Sequence, residues 1–248
     1  MNPVQISSGK AQILYDADCP VQADAGFFEP DHWRTRNALT GVATGRGTTF
    51  FVRDGDNEWV VRHYLRGGMI AKLFSDRYLW TGLKATRAWR EWRLLAALHN
   101  EGFPVPQPIA ARVVRSGIFY RADIVTRRID ATPLSELLRH GRLSSTGWNA
   151  VGATIRRFHD GGVWHADLNA HNILLAGEQV YLIDFDRGRR GRGSLSSHRA
   201  QGNLLRLRRS LDKLNRLHRV FCFDEEDWKS LSRGYEGKAE PHHGSSAW

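Results

Sequence analysis

The amino-acid sequence predicts an α+β fold in two lobes, an N-terminal lobe built on an antiparallel sheet and a mainly helical C-terminal lobe. Three observations predict it: two β-favouring runs joined by a turn, apolar stripes at helical spacing, and a loop–strand–turn–strand stretch around residue 175. We place the N-terminal lobe at 31–126 and the C-terminal lobe at 127–236, joined near 126–130. Residues 1–30 show little periodicity and are expected to form an N-terminal extension. Residues 237–248 are expected to be a disordered tail.

The elements of the N-terminal lobe follow in order. TFFV at 49–52, the turn DGDN at 54–57 and EWVVRHY at 58–64 predict a β-hairpin. Apolar residues at 88, 89, 92, 95, 96 and 98 recur at helical spacing and predict a helix over 83–99, which GFPVPQP ends. IFYRADIVT at 118–126 is typical of a strand.

The C-terminal lobe is predicted to begin with a short helix around 134–139. Ser144 or Ser145 can cap the next helix, whose apolar stripe is formed by Trp148, Val151, Ile155 and Phe158. HADLNAHN at 165–172 then predicts a loop, ILL a short strand, GEQ a turn and VYLIDFD a second strand. A further helix carries a leucine stripe at 204, 207, 211, 214 and 217.

The composition of the chain is that of a globular protein. Charged residues make up 25% and the apolar set 41% of the chain, as in ordinary globular proteins. We find no run of 18 apolar residues and no signal-peptide pattern at the N-terminus. Two cysteines are too few for a disulfide or zinc framework, and a reducing cytoplasm fits.

The positive charge is concentrated in one segment. Arg187 to Arg219 contains eleven Lys or Arg and a single acid, which accounts for the formal net charge of +10. A field localised in this way indicates an anionic partner such as phosphate groups, nucleic acid or an anionic membrane surface.

Three polar residues stand in the hydrophobic stretch near residue 175: Asp167, Asn172 and Asp184. Burying a carboxylate costs free energy unless it is paired. Phosphoryl transfer from a nucleotide needs such groups: a carboxylate for the acceptor hydroxyl, hard oxygens for Mg²⁺, and a cation with a glycine-rich turn for the phosphates.

The sequence offers these parts in the order found in protein kinases. His165, Asp167, Leu168 and Asn172 match H-x-D-L-x-x-x-N of the catalytic loop. I-D-F-D at 183–186 stands where D-F-G is expected, with Asp184 as the metal carboxylate. We therefore predict Asp167 as the catalytic residue, Asn172 and Asp184 as Mg²⁺ ligands, and a nucleotide as the phosphoryl donor.

The candidate nucleotide-binding residues rest on sequence signals of different strength. Gly45 and Gly47 form a G-x-G before the hairpin, and Glu91 on the predicted helix can pair with a phosphate-binding cation; taken alone, a glycine turn and a solvated helix residue are the commoner interpretations. V-V-R-H places Arg62 where protein kinases carry lysine, and a guanidinium binds phosphate as a planar fork. Lys72 is the alternative phosphate-binding cation. Because the expected lysine is absent from the strand, the interpretation as an inactive pseudokinase also stays open.

Beyond these general motifs, the chain closely resembles the 3-deoxy-D-manno-octulosonic acid (Kdo) kinases of Gram-negative lipopolysaccharide assembly. The resemblance is carried over about residues 41–192 by GRGTTFFV, WVVRHYLRGG, FSDRYLWTGL, RAWREWRLLAAL, GFPVPQP, HADLNAHNILL and LIDFDRGR. Arg62 belongs to a stretch that this family shares, which weakens the pseudokinase interpretation. Core heptose kinases look related but lack the asparagine at the position of Asn172. Aminoglycoside- and choline-type kinases usually carry His or Lys where Asn169 stands.

The resemblance implies a protein-kinase-like fold and an ATP-dependent enzyme at the cytoplasmic face of the inner membrane. It implies phosphorylation of a Kdo hydroxyl, the 4-position, on Kdo–lipid A, with Asp167 in the active site. The basic segment 187–219 would then face anionic lipid, where each Lys or Arg near the membrane surface contributes about 1 kcal/mol of attraction. A helix with solvated arginines is an equally good interpretation of that segment. A nucleic-acid-binding module has the charge but no recognised motif.

Overall fold

The structure, a computed structural model, describes residues 1–19, 23–43, 49–65 and 76–237. The chain divides into two compact units. The first contains Met1–Ile129 together with Phe185–Arg187, and the second contains Asp130–Asp184 and the described residues from Gly188 onward.

The first unit is built on an antiparallel sheet. Its strands within the described ranges are β1 (Pro3–Ser8), β2 (Ala11–Asp16), β3 (Leu39–Ala43), β4 (Thr49–Asp54), β5 (Asn57–His63), β6 (Tyr78–Leu79), β7 (Pro108–Ser116) and β8 (Phe119–Arg127). They are ordered β1-β2-β7-β8-β5-β4-β3, and β6 pairs with β8. The predicted hairpin is present, because β4 and β5 pair from Thr49↔Arg62 to Asp54↔Asn57.

In the described part of this unit, two α-helices accompany the sheet, α1 (Pro30–Thr35) and α2 (Arg87–Asn100). The helix predicted over 83–99 is α2, preceded by a 3₁₀ turn at Leu83–Ala85. A separate aromatic cluster fills the core near α1: the ring of Phe27 lies 5.2 Å from Trp33 and 5.3 Å from Trp59, both edge-on. Such pairs stabilise a core beyond the area that they bury.

Strands β1 and β2 were not predicted from the sequence. All six residues of β1 pair with β2, from Pro3↔Asp16 to Ser8↔Ala11, so residues 1–16 belong to the sheet rather than preceding it as an irregular extension. β1 lies at the edge of the sheet and leaves four of its six side chains exposed. An exposed polar edge strand has no apolar alternation for a sequence pattern to detect.

The second unit is mainly helical. Up to residue 237, its helices are α3 (Leu134–His140), α4 (Ser145–Asp160), α5 (Ser197–Leu217) and α6 (Glu225–Glu236). Its short strands over the same residues are β9 (Thr132–Pro133), β10 (Val163–Trp164), β11 (Ile173–Ala176), β12 (Gln179–Leu182) and β13 (Arg189–Arg190). Ser144 caps α4, accepting a hydrogen bond from the Gly147 N–H at 3.1 Å. The predicted stripe of α4, Trp148 to Phe158, is buried.

α4 and α6 pack at very short range. A Cβ at Gly152 of α4 would lie 2.0 Å from the backbone oxygen of Leu231, and one at Gly234 of α6 would lie 2.0 Å from that of Asn149. The two glycines therefore allow the backbones to touch, which holds α6 against the helix that precedes the predicted catalytic loop.

The leucine stripe of α5 is only partly as predicted. Leu207, Leu211 and Leu214 are buried, but Leu217 is 65% exposed and Leu204 is half-buried. Leu217 is the last residue of the helix, where the chain turns away before it can be covered. None of the helices in the described part of the chain is long and apolar enough to cross a membrane.

Candidate active site

The predicted catalytic loop connects β10 to β11 in the second unit and is organised around His165. His165 is 3% exposed; its Nε2 donates to the carbonyl oxygen of Ile183 at 2.9 Å, and its Nδ1 accepts from the Asp167 N–H at 3.1 Å. These two partners require the neutral tautomer with the proton on Nε2. Burial lowers the pKa of His165 below its usual value, so the ring stays neutral.

A second buried residue holds the start of the loop. Asn203 of α5 donates its side-chain N–H to the His165 carbonyl at 2.7 Å and accepts from the His165 N–H at 3.4 Å. Asn203 is 2% exposed. Asn203 was not among the predicted site residues, although an asparagine on the buried face of a leucine-rich helix is itself a signal for a buried polar partner.

Within the loop, the side chain of Asn172 donates to the backbone carbonyl of Asp167 at 2.9 Å. This bond fixes the amide plane and so the direction of the side-chain oxygen. The carboxylate of Asp167 is 59% exposed and accepts from Arg206 of α5 at 3.2 Å. Arg206 was not among the predicted site residues, because its helix lies 39 positions downstream.

Asp184 is brought to the same end of the second unit as Asn172 by the β11–β12 hairpin. Ile173 pairs with Leu182, and the Ile183 N–H donates to the Asn172 carbonyl at 3.0 Å, so Asp184 follows the last hydrogen-bonded position. Asp184 was predicted to lie inside a strand; β12 instead ends at Leu182, and Asp184 has φ +62°. A left-handed aspartate is unusual, and such conformations concentrate at functional sites.

The donor set of Asn172 and Asp184 suits one class of metal ion. One amide oxygen and one carboxylate are hard oxygen ligands, as Mg²⁺ prefers when it also binds substrate phosphates. The bond to the Asp167 carbonyl fixes the amide plane of Asn172, and the β11–β12 hairpin brings Asp184 to the same end of the unit, so the residues fit a Mg²⁺–nucleotide complex.

The first unit contains the predicted pair of Arg62 and Glu91. Arg62 of β5 donates to Glu91 of α2 at 2.5 Å, and the Tyr64 hydroxyl donates to the other carboxylate oxygen. Glu91 is 2% exposed, whereas the Arg62 side chain is 24% exposed. The guanidinium also lies 5.0 Å from the Tyr64 ring. The guanidinium of Arg62 is thus held by a buried, hydrogen-bonded carboxylate and remains partly accessible to solvent.

One unpredicted contact concerns Asp186, which stands where D-F-G motifs carry glycine. Arg87, at the start of α2, donates to Asp186 at 2.7 Å, and the same guanidinium donates to the Tyr78 hydroxyl at 2.7 Å. The carboxylate of Asp186 is therefore engaged with a cation of the first unit. Gly45, Gly47 and Lys72, the other predicted nucleotide-binding candidates, lie outside the described residues.

Similarity to known proteins shows the family of this chain. The model of the lipopolysaccharide kinase (Kdo/WaaP) family matches residues 30–235. The chain belongs to this family. It is 41% identical over 242 residues to 3-deoxy-D-manno-octulosonic acid kinase of Actinobacillus succinogenes, covering 94% of this chain and 99% of that protein. It is also 41% identical to the protein of the same name from Stenotrophomonas maltophilia, covering 95% and 94%.

Solved structures show the fold of this Kdo/WaaP family member. WaaP, solved in complex with acyl carrier protein, matches with a TM-score of 0.52 at 17% identity, covering 86% of each chain. The Rio2 kinase of Chaetomium thermophilum, solved as an ADP/Mg²⁺–phosphoaspartate complex, matches with a TM-score of 0.50 at 17% identity, covering 95% of this chain and 76% of that one. The predicted bilobal protein-kinase-like α+β fold is confirmed, and the protein is a phosphotransferase.

Proposed function

We propose that this phosphotransferase transfers the γ-phosphoryl group of ATP to a hydroxyl of Kdo, the 4-hydroxyl, on Kdo–lipid A during assembly of the lipopolysaccharide inner core. The relatives that carry the name 3-deoxy-D-manno-octulosonic acid kinase support Kdo as the acceptor, because they match over nearly the whole chain. The observation that carries the proposal is the hydrogen-bonded loop and hairpin that hold Asp167, Asn172 and Asp184 in one unit.

In the proposed mechanism Asp167 orients the acceptor hydroxyl and takes its proton as the new bond to phosphorus forms. Its backbone is fixed from both sides, by His165 at its N–H and by Asn172 at its carbonyl. The side chain itself stays exposed and can reach a substrate. This combination gives a positioned base on a rigid backbone, which contributes about 10²–10⁴-fold to rate.

Asn172 and Asp184 are proposed to hold Mg²⁺, which when bound neutralises phosphate charge and aligns the leaving group. Arg62, held by Glu91, is proposed to contact the nucleotide phosphates, together with the backbone around Gly45 and Gly47. The short Arg62–Glu91 contact supports this role, because a cation fixed by a buried carboxylate loses little freedom when it binds phosphate.

The exposed basic face of α5 supports a peripheral position at the cytoplasmic face of the inner membrane. Lys213 is exposed on this helix, and Arg219 is exposed just beyond its end. Attraction of these side chains to anionic lipid would bring the enzyme to an acceptor that is itself embedded in the membrane.

The test is a phosphoryl-transfer assay. Wild-type protein with ATP, Mg²⁺ and a Kdo–lipid A precursor should yield a lipid heavier by one phosphate, and nuclear magnetic resonance of the product should place that phosphate on O4 of Kdo. Asp167→Asn should lower the rate by at least about 10²-fold while nucleotide still binds. Glu178→Gln, in the exposed turn of the same hairpin, is the matched control and should retain full activity. Phosphorylation of heptose-containing core in preference to Kdo would refute the acceptor assignment.

A further inference from the structure

A cationic cavity lies in the second unit. Its volume is about 480 Å³, and it is formed by the first half of α5 with the paired strands β10 and β13. The side chains that line it are mostly basic: Trp164, Arg189, His198, Arg199, Arg206 and Arg209. We refer to it below as the arginine pocket.

Four guanidinium groups line the arginine pocket, and none of the described residues lining it is acidic. No carboxylate within the described ranges forms an ion pair with Arg189, Arg199 or Arg209. Arg208 of the same helix behaves differently, because it pairs with Asp212 and Glu225 on another face. Concentrating unneutralised like charges in a concave surface is unfavourable in the absence of an anion and produces a field that attracts one.

The backbone holds this arrangement in place. Arg199, Gly202, Arg206 and Arg209 are spaced by three or four residues, so they share one face of α5. Asn203, on the adjoining buried face, is bonded to His165 and fixes the helix against the catalytic loop. Gly202 leaves the middle of the pocket open, since a Cβ there would meet nothing within 4 Å.

The arginine pocket adjoins the proposed catalytic carboxylate. Arg206 lines the pocket and also donates to Asp167 at 3.2 Å. A molecule in the pocket would therefore lie next to the group that receives the acceptor hydroxyl. Trp164 adds an aromatic ring to the cavity wall, directly across the strand pair from Arg189.

We propose that the arginine pocket is an acceptor subsite that binds an oxyanion of the sugar acceptor, a carboxylate or a phosphate ester, through Arg189, Arg199 and Arg209. This inference rests on the proposed function. Arg206 is a positioning residue, because it links the bound anion to Asp167. Contacts of arginine with a carboxylate or phosphate are frequently bidentate and then fix orientation as well as affinity, which suits a site that must present one hydroxyl among several.

Direct binding tests the pocket without any phosphoryl transfer. Free Kdo, which carries a carboxylate and no phosphate, and inorganic phosphate are titrated calorimetrically into the full-length protein. The test variant is Arg199→Ala/Arg209→Ala, and the control is Arg216→Ala, an exposed arginine seven residues beyond Arg209 and outside the pocket. Thermal unfolding of all three proteins confirms that they are folded.

We expect the double variant to bind one of these probes at least about tenfold more weakly, while Arg216→Ala matches the wild type. Loss for Kdo alone assigns the pocket to the carboxylate, and loss for phosphate alone assigns it to a phosphate ester. Equal binding by the wild type and the double variant, or no binding of either probe to the wild type at millimolar concentration, would overturn the proposal. An equal loss in Arg216→Ala would also overturn it, since the effect would then come from the general charge of α5.

Kinetics separate this inference from the proposed function. With Kdo–lipid A as acceptor, the double variant should raise the acceptor KM about tenfold and leave the KM for ATP unchanged. A wild-type protein that phosphorylates no Kdo acceptor would refute the proposed function, while the calorimetric result would still decide whether the pocket binds an oxyanion.

Discussion

The pair of Arg62 and Glu91 offers a sharp test, because it separates a stabilising role from a phosphate-binding one. Arg62→Ala removes the guanidinium and leaves the carboxylate of Glu91, 2% exposed, without this partner. The Tyr64 hydroxyl, which also donates to Glu91, is retained in the variant. The comparison set is Arg62→Ala, Glu91→Gln and the double variant.

The magnitude follows from burial. Breaking a buried ion pair by removing one partner costs about 3–5 kcal/mol, mostly because a charge is left in a poor environment. Arg62 is itself 24% exposed, so we expect the lower end, about 3 kcal/mol off the free energy of unfolding. The double variant removes the stranded charge and should recover part of that loss, giving a coupling energy of about 2 kcal/mol.

Urea unfolding of the four proteins measures the coupling, and the KM for ATP measures the functional part. If Arg62 binds phosphate, the ATP KM should rise strongly in both variants that lack it and much less in Glu91→Gln. Lys72→Ala should then have a mild effect. A coupling energy below about 0.5 kcal/mol would refute the electrostatic reasoning. A larger ATP KM for Lys72→Ala than for Arg62→Ala would transfer the phosphate-binding role to Lys72.

Three further predictions concern stability and reactivity. The hydrogen bond with buried Asp123, at 2.6 Å, raises the pKa of His63 above its usual value. Protonated His63 should therefore contribute its full stabilisation of the fold below about pH 6.5, and this stabilisation should be lost as pH rises through the raised pKa of the folded state. In urea titrations between pH 5 and 9, the free energy of unfolding of His63→Gln should depend less on pH than that of the wild type. Burial, reinforced by nearby Asp16, raises the pKa of Cys19 to about 11. Cys19 should therefore resist alkylation at pH 7.5, whereas half-buried Cys222 should react faster. Mass spectrometry of the alkylated native protein measures the two rates. Gly152→Ala should lower the free energy of unfolding by about 2 kcal/mol or more, because the added Cβ would lie 2.0 Å from a backbone oxygen of α6; unchanged stability would contradict the close packing of these helices.

The elements that the sequence predicted well are those with a strong local signal. The stripe of α4 and the β4–β5 hairpin repeat at the helical and strand periods, and the structure places both as expected. The ion pair of Arg62 with Glu91 was also predicted, from motif order rather than from periodicity. These features share one property: each is encoded within a short stretch or by a motif of fixed spacing.

The contacts that the sequence did not predict join distant residues. Arg87 and Asp186 are 99 positions apart, and Asn203 is 38 positions from His165. β1 was missed because an exposed edge strand shows no alternation; β2, which is mostly buried between β1 and β7, was missed as well. Such contacts depend on tertiary placement, which neither propensity nor spacing specifies.

The basic segment illustrates what charge counting leaves out. Arg206 and Arg208 are two residues apart, which turns their side chains about 200° from each other around α5. Arg206 therefore meets the catalytic loop, whereas Arg208 lies against Phe223 and Trp228 and pairs with carboxylates near α6. A charged arginine therefore stabilises the unit at position 208, whereas the arginine at position 206 borders the proposed acceptor site. A partner inferred from net charge must consequently be assigned to one face of the helix, and the face with unneutralised arginines is the one next to Asp167.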